Sequence, residues 1–153
     1  MREVLFRGKR LEDGTWVEGY YAKATDMLND EEVHIIFNPE LELFPRSEFG
    51  TFDEVDPDTV GQCTGMRDKT DKRIFEDDIV KIKLSYGEGY NTRRVTGAIK
   101  YDADGNLGVI IEYIDDIPVW SNILFELNLS GAIEEYCFEI IGNIHDNPEL
   151  LEV

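Results

Sequence analysis

The sequence predicts a mainly β protein with short helices: an N-terminal β-hairpin region over residues 1–55, then a C-terminal β region over residues 56–153 whose order of turn, strand and hairpin is similar to a small SH3-like β-barrel. Three observations predict this. Short strand-forming runs recur along the chain. Gly, Asn and Asp clusters separate them. Residues 78–85 show clean period-2 alternation, with Val80, Ile82 and Leu84 set against Lys81 and Lys83.

The first elements form a hairpin. Val4 and Phe6 alternate with Leu5 and Arg7, and Asp13-Gly14 suits a tight turn that needs positive φ. Trp16 to Ala22 is the returning strand. Glu32 to Phe37, rich in β-branched residues, is a third strand that Asn38-Pro39 stops. Leu41, Leu43 and Phe44 add apolar mass before Pro45. Pro57 and Gly61 punctuate residues 50–62, the joint between the two parts.

After the alternating strand comes a loop, then a strand from Arg94 to Tyr101. Asp104-Gly105 marks a second hairpin turn. Leu107 to Ile114, apolar on both faces, reads as a central strand, and Ile133 to Ile144 as a further one. Residues 119–129 fit two periods. Trp120, Ile123, Leu124 and Leu127 suit a helical face, whereas Ile123, Phe125, Leu127 and Leu129 suit a strand; a short helix is preferred. Asn147 and Pro148 suit the N-cap and first turn of a closing helix.

Charge narrows the function classes. The 153 residues include 33 acidic and 15 basic side chains, a formal net charge of −18. Residues 1–60 carry 15 acids and 6 bases, residues 61–95 carry 6 and 8, and residues 96–153 carry 12 and 1. A weakly basic middle therefore lies between acidic flanks. Such a surface favours solubility, repels nucleic acid at long range and speeds encounter with basic partners. Hydrophobic content of 42% is too high for disorder, and no apolar run is long enough to span a bilayer. No leader-like segment opens the chain, and Cys63 and Cys137 form no disulfide framework, so an intracellular protein is expected.

Three stretches together resemble the YopX family of phage and prophage proteins. They are MREVLFRGKRLEDGTWVEGYY at the start of the chain, VDPDTVGQCTGMRDKTDKRIFEDDIVKI at residues 55–82 and EIIGNIHDNPELLE at residues 139–152. Thr70-Asp71 stands where the family pattern has Asn-Gly, and Asp77 where it has Gly. Asp tolerates left-handed backbone, so both turns are expected to survive. The resemblance implies a phage or prophage origin, a bacterial host cytoplasm and homo-oligomeric assembly. It implies no activity and supplies no catalytic residues.

The candidate sites are sparse. Glu76-Asp77-Asp78 is the densest acid cluster beside a strand, but neighbouring strand residues point to opposite faces, which favours a turn over a cation site. Cys63, Cys137, His34 and His145 lack zinc-like spacing, and a Cys137–His145 nucleophilic pair is weaker than a buried thiol. No phosphate-binding or hydrolase motif is present; Gly87-Glu88-Gly89 is a loop. No metal or cofactor is expected. The basic patch is Lys81, Lys83, Arg93 and Arg94, which share a hairpin face if their strands pair, with Tyr86 and Tyr90 nearby to stack on bases.

These observations predict a non-enzymatic accessory protein that acts through protein–protein contact as a homo-oligomer. Phe125, Leu127 and Leu129 are candidates for packing against another subunit. The alternatives are an acidic polyanion mimic that binds a basic or nucleic-acid-binding host protein, and a nucleic-acid binder using the basic hairpin face.

Overall fold

A computed structural model describes residues 4–37, 52–86, 91–118, 124–126 and 137–152. The chain is mainly β, with two antiparallel sheets, and it divides into two compact units, Met1–Cys63 and Thr64–Val153.

In the first unit, β1 (Phe6–Lys9) and β2 (Trp16–Asp26) form the expected hairpin. Gly14 takes the left-handed turn position with φ 69°, and the Asp13 carboxylate accepts from both the Thr15 N–H and its hydroxyl. β3 (Glu31–Phe37) pairs with the far half of β2, and β4 (Phe52–Glu54) pairs with the end of β3. A 3-10 turn at Pro57–Thr59, capped by the Asp56 side chain, leads into β5 (Gly61–Arg67), whose first residues pair with β1. Leu5, Ile35, Ile36 and Val55 are buried here. The Cys63 N–H donates to the Leu5 carbonyl at 2.7 Å and the Lys9 N–H to the Thr59 hydroxyl at 2.9 Å, so residues 56–63 fold with this unit.

In the second unit, a turn at residues 68–72 returns β5 to β6 (Arg73–Phe75). β7 (Asp78–Tyr86), β8 (Asn91–Tyr101) and β9 (Leu107–Ile114) form a meander whose second turn is the expected Asp104-Gly105, with Gly105 at φ 81°. β10 (Ile117–Pro118) and β11 (Leu124–Glu126) both pair with β9, and β12 (Cys137–Asn143) pairs with β7. The register aligns Phe138, Ile82, Val95 and Ile114 in one row across four strands. Three of these, Ile82, Val95 and Phe138, join Ile74, Val80, Ile99 and Val109 in the core, with Ile114 packed against it.

Three expectations need correction. The described strands do not close an SH3-like barrel: the path β10-β9-β8-β7-β12 is open, because among the described residues nothing joins β12 to β10. Residues 124–126, preferred as helix, form a strand, since they hydrogen-bond along β9 beyond the reach of two-residue β10. The closing helix is only a 3-10 turn, Pro148–Leu151, and the Asn147 side chain makes no capping bond. Tyr90, Trp120, Leu127 and Leu129 lie outside the described residues, as do residues 38–51 with Leu41, Leu43 and Phe44.

Candidate functional site

Alternation across β7, β8 and β12 sorts the charges. Ile82 and Val80 are buried while Lys81 and Lys83 are exposed, as the period-2 pattern requires. Lys83 lies opposite Arg94, and Lys81 opposite Thr96. On the other side of β7, Glu139 lies opposite Lys81. The outer face thus carries Lys81, Lys83 and Arg94 together, over a shallow groove of about 380 Å³ that Lys69, Thr96, Asp116 and Glu139 also line.

Arg93 does not join this face. Its register partner is Leu84, one step out of phase with Arg94, and its guanidinium binds the Asp115 carboxylate at 2.5 Å. Asp115 also accepts the Arg94 N–H at 2.9 Å, and these two donors hold its carboxyl below the ordinary range. Arg93 is thereby a brace on the β9–β10 turn. Tyr86 ends β7 opposite Asn91.

Lys69 enters the face from the 68–72 turn, a contribution that sequence reasoning missed. The Lys69 N–H donates to the Phe138 carbonyl and its ammonium pairs with Glu139 at 2.7 Å. Asp68 builds that turn. Its carboxylate accepts from the Thr70 N–H and hydroxyl, from the Lys72 N–H and from the Ile140 N–H. Burial acts to raise the Asp68 pKa, but these hydrogen bonds outweigh it and hold the carboxyl low. The only signal in the sequence was the turn pattern itself. Lys81 and Lys83 differ from Lys69: their ammonium groups have no hydrogen bond or ion pair among the described residues.

The acid cluster is a turn. Asp77 adopts φ 69°, and the Asp78 carboxylate accepts the Phe75 N–H at 2.8 Å. Asp71, the other departure from the resembled pattern, holds φ 70°. Both histidines are engaged: His34 Nδ1 lies 2.5 Å from the Tyr21 hydroxyl, and His145 Nε2 lies 3.1 Å from the carboxylate of Asp77 in that cluster. Cys63 is a half-buried free thiol. Among the described residues, no group of three or more His, Cys, Asp or Glu is placed to hold a metal ion, and no helix is long and apolar enough to cross a membrane.

The motifs behind the family resemblance are thus spent on backbone geometry. Asp56 caps a turn, the Thr64 hydroxyl donates to the Ile74 carbonyl, Asp68 and Asp78 organise corners, and the Asn143 side chain accepts from the His145 and Asp146 N–H groups.

Comparison with known proteins identifies the family. The family model described as YopX protein matches residues 5–152. No curated protein matches the chain. A crystal structure of protein EF1440 from Enterococcus faecalis is similar at 27% identity, covering 99% of this chain and 100% of that one, with a TM-score of 0.47.

Proposed function

Because this chain belongs to the YopX family, we infer that it is a phage or prophage accessory protein that works by protein–protein contact and assembles with copies of itself. The observation that carries this reading is the charge arrangement. A chain of net charge −18 presents Lys81, Lys83 and Arg94 on one exposed sheet face. A basic face on an acidic protein is complementary to the rest of its own surface, which favours self-association in a fixed register. No catalytic role is assigned, since the motif side chains serve turns and caps.

Light scattering after size exclusion tests this, at about 0.05 M and about 0.5 M salt. A discrete multimer at the lower salt is expected. A monomer under both conditions overturns the reading.

The same three cations favour a second reading, nucleic-acid binding by this face. The phosphate backbone rewards clustered Lys and Arg. Glu139 and Asp116 in the same groove weigh against it. Charge reversal at Lys83 and Arg94 then abolishes binding to a duplex probe. Partnership with a basic host protein through the acidic flanks would show instead as capture that is lost near 0.5 M salt.

A further inference from the structure

We propose that the basic face receives the tip of the β2–β3 hairpin from a second copy of this chain. This rests on the self-assembly reading above and names the two surfaces that would meet.

The face asks for an anion. Lys83 and Arg94 are directly opposed across an antiparallel pair, where like charges destabilise the sheet. Lys81 adds a third cation two residues along the same strand. Asp116 and Glu139 line the groove, but Glu139 is already paired with Lys69. Among the described residues, the Lys81 and Lys83 ammonium groups keep no partner of their own.

The hairpin offers the complement. Among the described residues, β1 pairs with residues 16–19 of β2 and β4 with residues 35–37 of β3, and no third strand reaches further along either. Beyond those points Lys23–Asp26 and Glu31–Val33 form a two-stranded ribbon, which is marginal in water when nothing packs on it. Its tip carries Met27 and Leu28, 97% and 96% exposed, between Asp26 on one side and Asp30, Glu31 and Glu32 on the other. Asp26, Asp30 and Glu31, with Glu32 beside them in an exposed pair with Lys23 at 3.4 Å, form an acidic rim around two bare apolar side chains. That rim matches a row of cations whose aliphatic stems cover the sheet. Charge would set the register, and burial of Met27 and Leu28 against those stems would supply the adhesion. A tip meeting a different surface is a head-to-tail contact, which builds a ring or a filament.

The test is light scattering on the full chain in four forms, at about 0.05 M salt. They are the parent, a face variant (Lys83→Glu with Arg94→Glu), a tip variant (Glu31→Lys with Glu32→Lys), and the chain carrying all four changes. The expected result is a multimeric parent, at least about 100-fold weaker assembly for each pair of changes, and recovery of assembly in the fourfold chain, where the charges are exchanged. Recovery also shows that the substituted chains fold. A parent multimer that persists in the face or tip variant overturns this surface pairing and leaves self-assembly standing. Loss in both without recovery in the fourfold chain overturns it too. A parent monomer removes the reading beneath it. If the face variant keeps its mass but loses a DNA or RNA duplex probe, the face belongs to nucleic acid and the proposal fails.

Discussion

The Lys100 ammonium at the end of β8 forms an ion pair with the carboxylate of Asp77, a residue in left-handed backbone at the corner before β7. The same carboxylate reaches His145 Nε2 at 3.1 Å. Asp77 is also held through its main chain. Its N–H donates to the Ile99 carbonyl at 2.9 Å, and its carbonyl accepts the Ile144 N–H at 3.0 Å. One residue thus ties the corner to β8 and to the segment after β12. The left-handed geometry favours Gly, while the side-chain contacts require Asp. We expect Asp77→Gly to cost about 1 kcal/mol, because backbone relief offsets part of the lost pairing. Asp77→Ala loses the pairing with no such relief, and about 2–3 kcal/mol is expected. Urea unfolding of both variants decides this; equal stabilities would show that the left-handed corner carries no cost.

Asp68 links the 68–72 turn to β12, and its carboxyl is held low. A group with a depressed folded pKa contributes stability that is fully present above its unfolded value. That stability is lost as pH falls through the folded value. Asp68→Asn should therefore cost about 2 kcal/mol at pH 7, and the gap to the parent should close as pH falls below the ordinary carboxylate range. Denaturant melts of the two proteins from pH 7 downward check it. A gap that stays constant at low pH would mean the turn does not depend on the ionised carboxylate.

Gly97 sits at the bulge where β8 shifts register against β9. A Cβ there would lie 2.1 Å from the Ile110 carbonyl oxygen and 2.8 Å from a Val109 methyl. Backbone cannot yield as a flexible side chain does. Gly97→Ala should cost about 3 kcal/mol or leave no cooperative transition. A thermal melt within a degree or two of the parent would contradict the close approach.

The β9–β10 turn places Asp115 and Asp116 consecutively at positive φ, 50° and 62°. Such a two-residue turn favours Asn-Gly or Asp-Gly. Asp115 has a reason to stay, since it braces Arg93 and the Arg94 N–H. Asp116 has no such bond among the described residues. Asp116→Gly should stabilise the protein by about 0.5–1 kcal/mol, read as a rise in Tm. A fall in Tm would assign the Asp116 carboxylate a structural role.

Much of the architecture was legible because its signals are local. Alternation at Val80, Lys81, Ile82 and Lys83 placed one face inward, and buried Val80 and Ile82 agree with it. Asp13-Gly14 and Asp104-Gly105 located their turns, since φ requirements act within a few residues. The tolerance of Asp for left-handed backbone anticipated Asp71 and Asp77. Residues 124–126 resisted, because three residues at mixed period take their state from the open edge of β9. The candidate face was half legible. Lys81 and Lys83 follow from alternation, but whether Arg93 or Arg94 joins them depends on the register of β7 against β8, and one step moves every side chain to the other face.

By itself the sequence determined the β class, the Asp13-Gly14 and Asp104-Gly105 turns, the sign and distribution of charge and the family, all of which are properties of neighbouring residues or of composition. Only the tertiary structure decided that Lys69 meets Glu139, that Arg93 leaves the basic face for Asp115, and that Asp77 holds Lys100 and His145. Those pairings join residues far apart in the chain. They exist because strand register and burial bring specific atoms within hydrogen-bond distance, and no local pattern encodes that distance.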